Sequence, residues 1–349
     1  MNGVLIIDKP AGLTSHDVVN RARRILQQRS IGHLGTLDPM ATGVLPLVTG
    51  NLTRLAQFYT ASEKTYEGTI RFGFATDTYD ADGEPTTTPQ EVRLHPEEVE
   101  AVATRFRGVI AQTPPAFSAK KIHGVPAYQL ARKQKEVVLK PVEVEIKEFE
   151  ILAIEADRVR FRARVASGTY MRSVAHEMGQ LLIFGAHLES LRRTTVAEFT
   201  LADAHTLEEV AAAARGNSSA TRGPSSAPGK RPALDPGGTT DDSSQVPPVG
   251  RPDPEPLVLL EAIFVHPRKL LPELPCVTAD EATAARIRSG RTVNLPELSR
   301  ARQVKVFAGQ RDLIAIATRV AGSLFHPKIV FSAATQPADT MSDKKYYVN

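Results

Sequence analysis

The sequence predicts an α+β protein built on a mixed sheet, with a small β-rich module near the C-terminus. Three observations predict this architecture. Strand-like and helix-like segments are intermixed in the first part of the chain, a Pro/Gly/Ser-rich stretch interrupts it, and four strand-like runs follow one short helix after the interruption. At 349 residues the chain exceeds the length at which one core stops growing, so we expect a large domain and a smaller companion.

The first elements lead to a shaped loop. The apolar run 3–8 predicts a strand that is stopped by Lys9-Pro10, and a helix should follow with Ser15 as its N-cap and end before Ser30. The segment 32–50 holds four glycines and two prolines around a short apolar run. This composition predicts a loop that leads into a buried strand, and loops of this kind often carry chemistry.

The middle of the chain alternates between the two element types. Residues 113–141 are rich in Pro and Lys and weak in periodicity, which predicts a protruding basic excursion. The other segments follow one by one: a short helical stretch at 52–58, a strand at 64–74, a helix at 96–106 with Pro at its first position, strands at 142–154 and 159–165, a helix at 169–182, and an apolar-polar run at 188–199.

The segment 216–256 differs from the rest in composition, because 9 of its 41 residues are Pro, 6 are Gly and 6 are Ser. So little apolar surface cannot offset about 1 to 2 kcal/mol of backbone ordering per residue, so we predict disorder there. The predicted division is a large domain at 1–215 with the excursion at 113–141, the disordered insertion at 216–256, the end of the first domain at 257–273, the β-rich module at 274–331 and a flexible tail at 332–349.

Bulk composition excludes several classes of protein. Hydrophobic residues make up 42% and charged residues 23%, and the net charge of +4 permits an anionic partner without requiring one. The single cysteine, Cys276, cannot form an intramolecular disulfide, and the N-terminus lacks the features of a signal peptide. No run of 18 apolar residues occurs, so we expect a cytoplasmic protein without membrane insertion.

Asp38 is the first candidate for chemistry. It stands in GHLGTLDP, and the following Pro39 disfavours helical dihedrals at the aspartate. The same pair is typical of a structural turn, so the residues alone leave both readings open. An acidic cluster at 77–84 does not match a calcium loop, because position 78 is Thr and position 89 is Pro. We therefore expect no metal site.

The run from Gly32 to Pro46 resembles the catalytic motif of the TruB-like pseudouridine synthases almost position by position. Three further blocks occur in the family's order, at 3–15, 64–84 and 167–193, and the C-terminal module resembles a PUA domain, an RNA-binding β-barrel. The resemblance covers roughly 3–210 and 257–331, and the chain departs from the family pattern mainly at the 216–256 insertion.

The resemblance implies a role for each matching residue. Asp38 corresponds to the catalytic aspartate, Arg172 to its arginine partner, Tyr66 to the active-site tyrosine and Leu191 to an apolar wall. A buried carboxylate is costly without a partner, so a guanidinium beside Asp38 is also expected on physical grounds. The residues expected to meet RNA are His33, which would fill the space left by a flipped base, Tyr170, and Lys9, for which structural support is the alternative to a phosphate contact.

The function implied by the resemblance is isomerisation of one uridine in the TΨC loop of tRNA to pseudouridine, with Asp38 as nucleophile. This reaction needs no cofactor, and we expect a monomer that requires no membrane, guide RNA or obligatory protein partner. Two alternatives stay open: a protein that only binds RNA, and a guide-dependent relative. The excursion at 113–141 resembles the thumb of the stand-alone bacterial type and favours independence from a guide.

Overall fold

The computed structural model describes residues 1–118, 120–122, 124–131, 133, 139–220, 260–296 and 301–331. The helices are α1 (Ser15–Ile25), α2 (Ala56–Tyr59), α3 (Pro96–Thr104), α4 (Ala127–Ala131), α5 (Met171–Leu181), α6 (Leu207–Ala220) and α7 (Glu281–Arg288), with 3₁₀ turns at Gly50–Leu55, Leu201–Asp203 and Pro267–Lys269.

The strands fall into two main sheets and one small hairpin. Those of the first domain and its hairpin are β1 (Gly3–Lys9), β2 (Ile31–His33), β3 (Thr42–Thr49), β4 (Lys64–Phe72), β5 (Gly108–Gln112), β6 (Lys121–Ile122), β7 (Val125–Pro126), β8 (Val142–Glu155), β9 (Arg158–Val165), β10 (Ala186–Val196), β11 (Phe199–Thr200), β12 (Ala204–His205) and β13 (Phe264–Val265). Those of the C-terminal module are β14 (Cys276–Ala279), β15 (Val293–Asn294), β16 (Gln303–Ala308), β17 (Asp312–Ala321) and β18 (Leu324–Val330).

The large sheet has the strand order β12-β1-β3-β10-β4-β9-β8-β5, with β2, β11 and β13 attached at its side. The pairs β1/β12 and β3/β10 are parallel and the other pairs along this order are antiparallel, so the predicted mixed sheet is confirmed. The C-terminal module forms a second sheet of five strands in the order β14-β16-β17-β18-β15. This sheet agrees with the small barrel-like module expected there.

Strand β1 shows why its sequence is apolar at successive positions. Leu5 and Ile7 pack in the core beneath the helices, whereas Val4 and Ile6 pack in a second core together with side chains of the C-terminal module. A strand buried on both faces has no place for alternating polar residues. The two-sided core also attaches the C-terminal module to the large sheet.

Helix α5 lies against β10, and both elements line the candidate site. Its buried face includes Val174, Ala175 and Met178. Gly179 allows the closest approach, because a Cβ atom there would lie 2.2 Å from the backbone nitrogen of Ala186. The C-terminal end of α5 therefore packs directly against the start of β10.

Several details differ from the sequence predictions. The N-cap of α1 is Thr14, whose hydroxyl accepts a hydrogen bond from Asp17 N–H in a capping box, and Ser15 has another task described below. Strand β5 and helix α6 were not predicted; α6 continues to Ala220, so the predicted boundary at 216 falls inside a helix. The remainder of the predicted insertion, 221–256, and the predicted tail, 332–349, lie outside the described residues.

Candidate active site

The loop between β2 and β3 carries Asp38. A close contact between β3 and β10 fixes the point at which this loop ends and β3 begins. Gly43, at the start of β3, has φ +99°, and a Cβ atom there would lie 2.2 Å from the carbonyl oxygen of Arg193 on β10. Only glycine tolerates both the dihedral and the approach. The loop therefore enters the parallel β3/β10 pair at a fixed position.

Arg193 holds the first half of this loop and was not identified from the sequence. Its side chain is fully buried, and its guanidinium donates hydrogen bonds to the carbonyl oxygens of Gly35 at 3.1 Å, Thr36 at 3.2 Å and Val44 at 2.9 Å. Planar guanidinium donors suit such a set of backbone acceptors. In the sequence, Arg193 is only the second arginine of an Arg-Arg pair. Such a pair is typical of surface residues in an exposed strand.

Lys9 holds the second half of the loop. The Lys9 ammonium is buried and donates to the carbonyl oxygens of Pro10 at 2.8 Å, Pro39 at 3.1 Å and Ala41 at 2.7 Å. Burial lowers the pKa of Lys9 to about 8. An ammonium has three protons, so these bonds leave none for a phosphate. The geometry favours structural support over the RNA contact that was also expected of Lys9.

Asp38 and Arg172 form the centre of the site. Nη2 of Arg172 donates to Oδ1 of Asp38 at 3.1 Å, and Nε lies 2.9 Å from Oδ2. The arginine side chain is 4% exposed and the aspartate side chain 33% exposed, so the carboxylate faces the pocket while its partner is enclosed. The sequence expectation that Arg172 lies beside Asp38 agrees with this geometry.

Other groups orient the Arg172 guanidinium. Nη1 donates to the carbonyl oxygen of Thr78 at 3.0 Å and lies 3.5 Å from Oδ2 of Asp80, while Nη2 also donates to the carbonyl oxygen of Phe117 at 2.9 Å. Burial raises the pKa of the Asp80 carboxyl. In the sequence Asp80 belongs to the acidic cluster that does not match a calcium loop, and its spacing from Arg172 gives no indication of their contact.

The N-terminus of α5 is held by a buried amide. The Gln112 side chain donates to the Tyr170 carbonyl oxygen at 3.1 Å and accepts from Tyr170 N–H at 2.8 Å. Ser173 donates from its hydroxyl to the carbonyl oxygen of Thr113 at 2.8 Å. These bonds fix the start of the helix on either side of Arg172. Burial also raises the pKa of the Tyr170 phenol, which lies in the pocket wall.

A pocket of about 270 Å³ opens in front of Asp38. Tyr66 on β4 and Leu191 on β10 contribute buried wall, each 7% exposed. All the residues named as catalytic from the sequence line this one cavity, and so do His33 and Tyr170: Asp38, Tyr66, Arg172, Leu191, His33 and Tyr170. Lys64, which the sequence analysis did not single out, also lines it.

His33 lies at the end of β2, on the loop side of the pocket. Its Nδ1 accepts a hydrogen bond from Gly35 N–H at 3.3 Å. Burial, with the positive charge of Arg193 beside it, lowers the pKa of His33 to about 4. The imidazole is therefore neutral at physiological pH.

A cluster of metal ligands and a membrane-spanning helix were not found among the described residues. No group of three or more His, Cys, Asp or Glu side chains there is arranged to hold a metal ion. Likewise, none of the described helices has the length and apolar character needed to cross a bilayer.

Comparison with known proteins identifies the family. Residues 23–171 match the model of the N-terminal domain of the TruB family pseudouridylate synthases, and residues 172–222 match the model of the tRNA pseudouridylate synthase B C-terminal domain. A protein of Solibacter usitatus named tRNA pseudouridine synthase B is 45% identical over 95% of this chain and all of its own length. The Aquifex aeolicus protein of the same name is 45% identical over 60% of this chain and 73% of its own.

Solved structures show the same fold at lower identity. A box H/ACA ribonucleoprotein bound to a substrate RNA contains a chain that is 21% identical, with a TM-score of 0.62 over 95% of this chain and 85% of that one. A Cbf5-Nop10-Gar1 complex contains another, 22% identical, with a TM-score of 0.63 over the same shares.

The mixed sheet and the aspartate–arginine pocket, together with these matches, define a pseudouridine synthase. The chain belongs to the TruB family, and the protein is accordingly an enzyme, an isomerase.

Proposed function

We propose that the protein converts one uridine in the TΨC loop of tRNA, the uridine at position 55, to pseudouridine with Asp38 as nucleophile. The observation that carries this proposal is the Asp38–Arg172 pair, in which an enclosed guanidinium holds a carboxylate that faces a pocket. The names of relatives that are 45% identical support tRNA as the substrate.

The chemistry requires a group that adds to the nucleotide and leaves again. The bond between N1 of uracil and C1′ of ribose breaks, the base turns, and a bond forms between C5 and C1′, while C5 loses a proton and N1 gains one. A carboxylate nucleophile divides this exchange into easier steps. Arg172 aims the Asp38 carboxylate at the pocket, because its guanidinium donates to one carboxylate oxygen and lies beside the other.

The pocket walls supply the other requirements. Tyr66 and Leu191 exclude water from the base, and the phenol of Tyr66 stacks on it near C5, where the proton leaves. Uridine inside a folded loop must be flipped out, and His33 is placed at the loop side of the pocket to occupy the vacated space. Tyr170, which also lines the pocket and directly precedes α5, contacts the RNA.

The protein acts, in this proposal, as a monomer without cofactor, metal, guide RNA or obligatory partner, on tRNA in the cytoplasm. The excursion at 113–141, which contains β6, β7 and α4, supplies RNA contacts that a guide-dependent enzyme would obtain elsewhere. The C-terminal module adds affinity, and Arg302, His326 and Lys328 line an open groove of about 830 Å³ on it.

Tritium release tests the proposal, since isomerisation expels the hydrogen at C5. Unmodified tRNA transcripts labelled with tritium at C5 of uridine should release it only when position 55 is uridine. A transcript with cytidine at this position is the matched control. Release from the control transcript would place the target elsewhere, and tight binding without any release would favour a protein that only binds RNA.

A further inference from the structure

Lys64 is a cation of the pocket that takes no part in the aspartate–arginine pair. It is the first residue of β4, and its ammonium donates to the carbonyl oxygen of Ser62 at 2.7 Å. Its alkyl chain passes over Gly35 of the catalytic loop, where a Cβ atom would lie 3.6 Å from Lys64 Cε. The head group is thus held at the pocket with two protons not engaged by Ser62.

The carboxylate of the pocket is paired with another cation. Asp38, Arg172 and Lys64 are the charged residues among those that line it, and Asp38 pairs with Arg172, which also lies 3.5 Å from Asp80. Within the described ranges no carboxylate lies within 4 Å of Lys64 Nζ. Burial, with Arg193 beside it, lowers the pKa of Lys64 to about 8. A half-buried ammonium without a counter-ion is costly until a ligand supplies oxygen atoms or negative charge.

We propose that Lys64 binds a non-bridging oxygen of the phosphodiester that flanks the flipped uridine. Alternate residues of a strand point to the same face, so Lys64 and Tyr66 project on one side of β4 about 7 Å apart. That span is comparable with the distance from the base of a nucleotide to its own phosphate. A base stacked on Tyr66 would therefore place its phosphate beside Lys64.

The surroundings of Lys64 suit a phosphate better than a base. The nearby wall is polar, for Ser167 donates from its hydroxyl to the carbonyl oxygen of Thr60 at 2.7 Å and both residues line the pocket. The apolar wall that a uracil ring needs lies instead at Tyr66 and Leu191. The inference rests on the flipped-uridine site proposed above and adds the anchor for its backbone.

A double-mutant cycle, in which one change is made in the protein and the other in the RNA, tests this contact. Binding of the wild type and of Lys64→Met is measured with TΨC stem-loops in which the loop phosphates are replaced one at a time by uncharged methylphosphonates. Lys64→Met should weaken binding about fivefold to tenfold and lower the slope of log affinity against log salt by roughly 0.7. The methylphosphonate next to uridine 55 should weaken the wild type similarly, yet have little further effect on Lys64→Met.

Two further variants make every outcome decisive. Lys64→Arg keeps a cation and should retain most of the affinity, whereas Lys147→Met makes the same change on β8, where the lysine is already paired with Glu63, and should leave binding unchanged. If the losses of affinity caused by Lys64→Met and by the methylphosphonate were fully additive at every phosphate, the inference would be wrong. Lost turnover at unchanged affinity would also overturn it.

Failure of the proposed function would look different. A wild type that releases no tritium from uridine 55 would contradict the TΨC target, even if Lys64 still coupled to some phosphate. If the effect of Lys64→Met were then coupled to the methylphosphonate at another position, the phosphate contact would be upheld. The target would in that case be a different nucleotide.

Discussion

Ser15 and Leu37 exchange two hydrogen bonds across the start of α1 and the catalytic loop. Leu37 N–H donates to the Ser15 hydroxyl at 2.8 Å, and the same hydroxyl donates to the Leu37 carbonyl oxygen at 3.1 Å. Because Leu37 directly precedes Asp38, the pair fixes the backbone from which the carboxylate projects. Arg193 holds the residues before it and Lys9 those after it, so the whole loop is tied to buried groups.

Ser15→Ala should reduce turnover by about tenfold and destabilise the protein by about 1 to 2 kcal/mol, because it leaves two buried backbone groups unpaired. Thr14→Ala is the matched control, since it removes the capping box of the same helix at a cost of about 1 kcal/mol without touching Leu37. Thermal unfolding and tritium release are measured on both. Equal losses of turnover in the two variants would contradict a specific role for Ser15.

Asp38→Asn should abolish detectable turnover while tRNA affinity changes by less than about tenfold, or ~1.4 kcal/mol. The amide keeps the shape of the side chain and loses the nucleophilic charge. Arg172 retains Asp80 and two carbonyl oxygens as partners, so the fold should survive, which circular dichroism checks. Asp8→Asn is the control, because Asp8 pairs with Arg192 outside the pocket and its loss should leave turnover near normal.

The sequence predicted the residues that line the pocket better than the residues that hold the catalytic loop in place. Alternating strand patterns and the Gly-rich loop were sufficient for the mixed sheet, and the motif resemblance placed Asp38, Tyr66 and Arg172, which line one pocket. Ser15 was misassigned as an N-cap, since a serine before a helical pattern favours capping and its bonds to Leu37 depend on tertiary structure. The residues next to Ser15 in the sequence do not indicate such contacts.

Buried cations were missed for the same physical reason. Lys and Arg are rarely buried, so Arg193 in an arginine pair indicates a surface residue until its carbonyl partners are known. Strand β5 was missed because it is short and exposes Val109 to solvent, whereas α6 has local signals that were not used: a capping pair of Thr206 and Glu209 followed by four alanines. Tertiary contacts rather than local periodicity determine β5.

Replacing Arg302 and Lys328 together by alanine should weaken tRNA binding about tenfold and lower the salt slope by roughly 1.5, since phosphate contacts supply affinity without chemistry. Both residues line the groove of the C-terminal module and are exposed, so stability should change little. The rate at saturating tRNA should stay within about twofold of the wild type. A lower saturating rate at unchanged affinity would show that the groove does not serve binding.

His33 should contribute to stability at neutral pH and lose that contribution in acid. Its pKa is about 4 in the folded protein against an ordinary value of 6.5, so the unfolded chain binds the proton more readily between these values. The contribution is complete above pH 6.5 and is lost as the pH falls to 4, by about 1 to 3 kcal/mol. His33→Phe keeps an aromatic ring and removes the titration, so the difference between the two unfolding free energies should vary with pH in this window. A constant difference from pH 7.5 to 4 would contradict the prediction.

Lys64 should make tRNA affinity depend on pH in the alkaline direction. The pKa of its ammonium is about 8 in the free protein, and a bound phosphate raises it, so binding is strongest where Lys64 is already protonated. Affinity should therefore be constant well below pH 8 and decrease as the pH rises through 8 towards the higher pKa of the complex. The other charged or titratable side chains that face Lys64 or line the same pocket are Arg193, His33, Asp38, Arg172, Tyr59, Tyr66 and Tyr170.

The Lys64 variants separate this titration from that of any other group. Lys64→Arg stays charged and should bind equally at pH 7 and pH 9, and Lys64→Met should bind weakly and equally at both values, because neither side chain titrates in this range. Lys9, whose pKa is also about 8, is present in all three proteins and donates only to backbone carbonyls, so it serves as an internal control. Fluorescence anisotropy with a labelled stem-loop measures the three affinities. If Lys64→Met loses affinity between pH 7 and pH 9 as steeply as the wild type, the titrating group is not Lys64 and the phosphate contact is wrong.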